Sequence, residues 1–253
     1  IFFEPDSMKG SYLGPQFSED EIASQLKTCG AVFRKLSEED LTDNVATYLA
    51  DGKAVGFMQG RMEFGPRALG SRSIIADPRS PLMQKKLNLK VKYRESFRPF
   101  APSILYEHVG EWFENNYYSP YMLLVDEIRK DKQRAMSIEE NALFGIDKLN
   151  IPRSSIPAVT HIDYSARIQT VHKETNQKFY NLISKFKEKT GCPLVVNTSF
   201  NIRGEPIVCT PTDAFNCFMG TEIDALAIGN YFLIKNDQTE NLKKNYKDKY
   251  NLD

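Results

Sequence analysis

Histidine is nearly missing from this chain: there are three in 253 residues, His108, His161 and His172. The four cysteines, Cys29, Cys192, Cys209 and Cys217, form no C-x-x-C pair. Together these absences exclude the ligand spacings of a zinc site. A chain this long does not require a disulfide framework, and reduced thiols in a cytoplasmic protein are the expectation. No apolar run approaches the ~20 residues that cross a bilayer, and no signal-peptide pattern is present. Net charge is missing as well, because 33 Lys and Arg balance 33 Asp and Glu. A whole surface devoted to nucleic acid or to anionic membrane is therefore not expected. The single tryptophan, Trp112, reads as a core anchor rather than a base-stacking platform.

What is present is an ordinary globular composition, 41% hydrophobic and 26% charged, in a chain long enough to bury a substantial core. Residue 1 is isoleucine and residues 1–15 carry no start signal, so the chain reads as a piece of a longer polypeptide. Ser18 with Glu21 forms a capping box that opens a helix bearing Ile22 and Leu26. Ser37 caps a second helix with Leu41, Val45 and Leu49 on one face, and Gly52 lies past its end. Residues 54–58 read as a buried strand, 72–76 as another, and 82–91 as a helix with a basic outer face. Pro99 and Pro102 make 97–105 extended. Strands are expected at 121–125, 167–171 and 193–196, and one or two more over 224–234. Helices are expected from Phe179 to Phe186 and from the Thr210–Asp213 cap to Met219. This alternation predicts a single α/β (α+β) domain over 1–253. Residues 126–156 form a surface excursion, charged and weakly patterned.

Charge is concentrated locally. Between Arg61 and Arg98 stand ten Lys or Arg and three acids, Glu63, Asp77 and Glu95. Gly65-Pro-Arg-Ala-Leu-Gly70 has the glycine spacing of a P-loop, but Ser71-Arg72 stands where Lys-Ser/Thr is needed, so that label fails. Arg67, between two turn glycines after a buried strand, is an anion-binding candidate, with a surface arginine in a structural turn as the alternative. In Lys92-Tyr-Arg-Glu-Ser-Phe-Arg98 an extended chain would put residues 92, 94, 96 and 98 on one face and Glu95 opposite. Lys92 and Arg98 would then grip one phosphate-rich ligand; a charged edge strand is the plainer reading.

Asn197-Thr-Ser-Phe-Asn201 follows an apolar strand, where open α/β sheets place ligands. Ser199 and Asn201 can donate to phosphate oxygens, or they close a local turn. His161 and Asp163, two apart, share a face if extended, and a structural hydrogen bond is the default for His161. Arg167, entering an apolar strand, needs an anionic partner if buried.

Taken together, G-R-M-E-F-G-P-R-A-L-G-S-R-S, N-L-K-V-K-Y-R-E-S-F-R-P-F-A-P, A-V-T-H-I-D-Y-S-A-R-I-Q-T-V and N-T-S-F-N-I-R-G-E-P-I-V resemble one family. They are similar, in order and over most of the chain, to the C-terminal domain of O-carbamoyltransferases of the NodU/CmcH/TobZ type. The resemblance implies a YrdC-like fold, a twisted open mixed sheet flanked by helices. It implies that carbamoyl phosphate and ATP, with Mg2+, are converted to carbamoyladenylate. A sugar-kinase-like N-terminal transferase domain with an iron site, absent from this chain, would then carbamoylate a substrate hydroxyl in a biosynthetic pathway.

By the same resemblance Arg67, Lys92 and Arg98 are the catalytic positions, and Arg167, Ser199 and, by a weaker likeness, Asn201 join them in binding substrate and nucleotide. An Arg- and Lys-rich site poor in histidine suits phosphoryl transfer, which needs positioning and charge stabilisation more than a general base. Two other readings remain from the sequence: a basic-groove RNA- or nucleotide-binding module, and a non-catalytic docking domain. A homodimer formed through surface left by a missing partner domain is a further expectation.

Overall fold

A computed structural model of the chain describes residues 7–149 and 151–243. Its helices start at the caps the sequence named. Ser18 Oγ accepts the Glu21 N–H at 3.3 Å and the Ser18 N–H donates to the Glu21 carboxylate at 2.7 Å, opening α1 (Glu19–Thr28). Ser37 Oγ accepts the Asp40 N–H at 3.0 Å and opens α2 (Glu38–Ala50). Thr210 and Asp213 close a reciprocal box on α8 (Pro211–Gly220). Each cap satisfies amide protons that a first turn leaves without partners.

The strands are β1 (Arg34–Lys35), β2 (Val55–Met58), β3 (Arg72–Ala76), β4 (Ala101–Leu105), β5 (Val125–Glu127), β6 (Ser165–Arg167), β7 (Gln169–Val171), β8 (Leu194–Ser199), β9 (Ala225–Ile228) and β10 (Tyr231–Ile234). Eight of them form one sheet in the order β1-β10-β9-β2-β3-β8-β4-β7, and β5 pairs with β6 alone. Only β2–β9 and β4–β7 are parallel, so the sheet is mixed. Its central strands are buried on both faces, which is why they read as continuous apolar runs. Phe57 meets Phe179 of α7 (Gln177–Thr190) at 6.0 Å, and α7 packs against α2; α1 packs against α8. The expected architecture, an open mixed sheet flanked by helices, is the observed one. Trp112, in α4 (Val109–Trp112), is buried in the core, and the four cysteines are free thiols.

Two local expectations are corrected. The helix over 82–91 is α3 (Met83–Leu87) followed by a π-turn at Asn88–Lys92, ended by Tyr93 at a left-handed φ of 49°. The Asn88 carboxamide causes the fold-back: its Nδ2 donates to the carbonyls of Ser96 and Arg98 at 3.0 and 2.8 Å, and its Oδ1 accepts from Arg94 Nε at 2.6 Å. Residues 92–98 are thus not extended, and 92, 94, 96 and 98 share no face. Nor do His161 and Asp163 form an extended pair. Asp163 Oδ1 accepts from the Ser165 N–H and hydroxyl, and Tyr164 turns the chain at φ 64°.

The excursion is looser at its tip than at its base. Phe144 is 93% exposed, whereas Ile128 and Ile156 are fully buried. Two short helices, α5 (Ile138–Ala142) and α6 (Gly145–Leu149), lie within it. Buried Arg153 staples α6 by donating to the carbonyls of Lys148, Leu149 and Ile151.

Candidate active site

Strand register gathers the predicted residues at one end of the sheet. Met58 at the end of β2 pairs with Arg72 at the start of β3, and Ser73 pairs with Ser199 at the end of β8. Asn197 pairs with Ala101 at the start of β4, whose Ser103 pairs with Gln169 at the start of β7. Arg67 precedes β3, Arg98 precedes β4 and Arg167 ends β6, immediately before β7. Residues distant in sequence are therefore delivered to the same edge by alternating strand directions.

Lys92 is the most enclosed of them, 3% exposed at the end of the π-turn. Its Nζ donates to the Ser199 carbonyl at 2.5 Å, Ser199 Oγ at 3.2 Å, and the Asn201 carbonyl and Oδ1 at 2.9 Å each. Ser199 Oγ donates to Asn201 Oδ1 at 2.6 Å, and Asn201 Nδ2 donates to the Glu205 carbonyl at 2.6 Å. Burial pushes the Lys92 ammonium down to about 7. Lys92, Ser199 and Asn201 thus form one bonded unit. The ammonium expected to grip phosphate directs its protons to protein oxygens instead.

Arg67 and Arg167 form a second group. The Nε of each is buried with no hydrogen-bond partner. Burial, and after it the charge of Arg67, lowers the affinity of Arg167 for its proton, which puts two guanidinium groups near each other. Buried guanidinium N–H groups left unpaired at one place suit an oxyanion. Arg98 is half exposed, its Nε 3.2 Å from Glu95 Oε2, and Glu95 Oε1 also meets Arg203 at 3.4 Å. Such exposed pairs are worth little and exchange readily for a better anion.

The loop carrying Arg67 is built around a residue the sequence reading passed over. Glu63 is 5% exposed, and its Oε1 accepts the N–H groups of Leu69 and Ser71 at 2.7 Å and of Arg72 at 3.3 Å. Those amides, which would cradle phosphate in a P-loop, are consumed internally and are not free to meet an anion. Arg72, fully buried, ties the same loop by donating to the carbonyls of Gln59, Gly60, Ser71 and Pro15 at 3.0–3.2 Å. Asn197 Nδ2 donates to the Ala68 carbonyl at 3.1 Å and Gln169 Nε2 to the Leu69 carbonyl at 2.9 Å, fixing the loop on the sheet. The available signal for Glu63 was a lone acid between glycines in a basic run. Arg94 was also missed; it lies 5.0 Å over the Phe100 ring, and burial pushes it down to about 10.

Residues 46–235 match the protein family described as Carbamoyltransferase C-terminus. The chain belongs to this family. All six predicted positions fall inside the matched span. An uncharacterized protein of Synechocystis, sll1178, is 57% identical over 94% of this chain and 39% of its own length. Nodulation protein NolNO of Sinorhizobium fredii is 39% identical over 88% of this chain and 31% of its own. The 3'-hydroxymethylcephem-O-carbamoyltransferase of Amycolatopsis lactamdurans is 34% identical over 68% of this chain and 27% of its own. The chain spans less than half the length of each of these relatives. Full-length HypF in its phosphate- and nucleotide-bound form superposes partially, with a TM-score of 0.44 at 17% identity over 73% of this chain and 20% of that one.

Proposed function

We propose that this carbamoyltransferase C-terminal chain is the adenylate-forming half of an O-carbamoyltransferase. The observation that carries the reading is the convergence, at one sheet end, of two guanidinium groups with unpartnered buried Nε atoms and the bonded Lys92–Ser199–Asn201 unit. In this reading carbamoyl phosphate and water give carbamate and phosphate at Arg67 and Arg167. A carbamate oxygen then attacks the α-phosphorus of ATP: the O–Pα bond forms, the Pα–O bond to the β-phosphate breaks, and pyrophosphate leaves. Negative charge grows on equatorial and leaving oxygens, where positioned cations act most strongly. Arg98 exchanges Glu95 for phosphate oxygens. Lys92 acts as a positioning residue, fixing Ser199 Oγ and Asn201 beside the nucleotide. Among the described residues no group of three His, Cys, Asp or Glu side chains gathers to hold a metal. Magnesium, expected with ATP, would enter with that substrate. Transfer to a substrate hydroxyl belongs to a transferase half with its iron site.

Pyrophosphate release from ATP, with and without carbamoyl phosphate, tests the reading. Release that requires carbamoyl phosphate and falls about 10²–10³-fold in Arg98→Ala is the expected outcome. ATP binding without release, lost in the same variant, would keep the site but make turnover depend on the transferase half. Neither release nor binding would sink the assignment and favour a docking domain.

A further inference from the structure

A sizeable cavity lies away from the motif-bearing end. It encloses about 700 Å³ at the opposite end of the sheet, where β2 and β9 begin and β10 ends. That volume lies within the ~300–1,000 Å³ range of small-molecule sites. Met219, Ile223 and Ile234 supply apolar lining, and Tyr48 and Tyr93 stand in the walls. Five lysines face it against three carboxylates.

The carboxylates do not serve all the lysines. Asp224 holds Lys86 at 2.8 Å and meets Lys53 only at 4.0 Å, while its Oδ2 also accepts the Ala54 N–H at 2.7 Å. Glu222 holds Lys90 at 2.8 Å. Lys235 has no carboxylate within ion-pair distance among the described residues. Its Nζ donates to the carbonyls of Phe218 and Thr221 and lies 4.0 Å over the Phe218 ring. Burial pushes this ammonium down to about 8, so it retains its charge at neutral pH and lacks a full counter-charge.

We propose that this cavity binds a small organic anion, a phosphate or carboxylate carried on an apolar or aromatic body. The body would lie on Met219, Ile223 and the tyrosines, and the anionic group would meet Lys235 and the loosely held Lys53. Such a ligand supplies the missing counter-charge and removes apolar surface from water in one step. The site is independent of the adenylate-forming reading, because no predicted substrate-binding residue lines it.

Isothermal titration of the chain with 2-naphthyl phosphate, 2-naphthol and inorganic phosphate tests this. Saturable one-site binding of naphthyl phosphate is expected, with each half-ligand about tenfold weaker or worse. Lys235→Met should weaken it about tenfold, the scale of one charge-assisted contact. Should that buried change prevent folding, exposed Lys53→Glu, which reverses charge at the rim, should weaken it comparably. Arg98→Ala should leave it unchanged. Binding lost in Arg98→Ala but kept in the lysine variants would place the probe at the other end and overturn the proposal. Absence of saturable binding, or equal binding of 2-naphthol, would overturn it as well.

Discussion

Lys92 offers three N–H bonds when charged and meets four oxygen acceptors, so its geometry belongs to the ammonium form. Burial opposes that charge and brings its titration from the ordinary 10.5 to about 7. Deprotonation removes one donor and turns a lone pair toward an oxygen, loosening Ser199 and Asn201. Pyrophosphate release should therefore decline as pH rises through about 7, and Lys92→Met should be slow but lack that limb. A limb that persists in Lys92→Met would assign it to another group. Stability has the opposite sign. Between about 7 and 10.5 the unfolded chain binds a proton that the folded chain does not, so wild type should gain stability relative to Lys92→Met as pH rises across that window, read by urea midpoints. Glu63 is the second residue on which the site depends. Glu63→Ala leaves three buried amides without an acceptor, at a cost of about 1–3 kcal/mol each before relaxation. A lower thermal midpoint together with a raised KM for carbamoyl phosphate is expected; an unchanged KM would detach the Glu63 contacts from the placement of Arg67.

At the scale of elements, local sequence chemistry was enough wherever one residue decides a boundary. Ser18, Ser37 and Thr210 placed three helix starts, and Gly191, at φ 75°, closes α7. Where a polar side chain bonds across sequence distance the reading failed. Asn88 looks like any helix-surface asparagine, yet its three contacts fold 93–98 back, so that this run is not the extended segment the sequence suggested. Strand β8 runs three residues beyond its apolar stretch, and there Asn197 Nδ2 donates to the side-chain oxygens of Ser103 and Gln169, partners more than 25 residues away. The six candidate positions were legible through a family resemblance, but their division into a bonded lysine unit and an arginine pair was not. Gly70 shows how an element fixes the loop before it. Its φ is 105°, and a Cβ there would collide with the Phe179 ring of α7. Gly70→Ala should thus destabilise by on the order of 3 kcal/mol, combining left-handed strain with overpacking. A thermal midpoint within a degree of wild type would contradict that account.

Over the whole molecule, a neutral chain keeps a basic run without presenting a basic track. Of the ten cations between Arg61 and Arg98, Arg72 and Lys92 are buried among carbonyls and Arg94 is half-buried over Phe100. Arg79, Lys86, Lys90 and Arg98 each have a carboxylate within ion-pair distance. Only Arg61, Arg67 and Lys85 stand outside both groups, and Arg67 is half-buried in its loop. A protein that follows a single strand adds about 0.7 to its log–log salt slope for every phosphate neutralised, and therefore needs many free cations in line. Here the free charge is sufficient for one compact anion. A single-stranded RNA of about 20 nucleotides should therefore bind with a slope below about 2, the contribution of three phosphates or fewer. It should also leave carbamoyl phosphate-dependent pyrophosphate release unchanged at 150 mM salt, roughly where the screening length has fallen to ~8 Å. A steep slope with loss of release would make the 61–98 run a polynucleotide groove. A shallow slope with release intact would mean that burial and pairing have reduced ten cations to a site of small-molecule size.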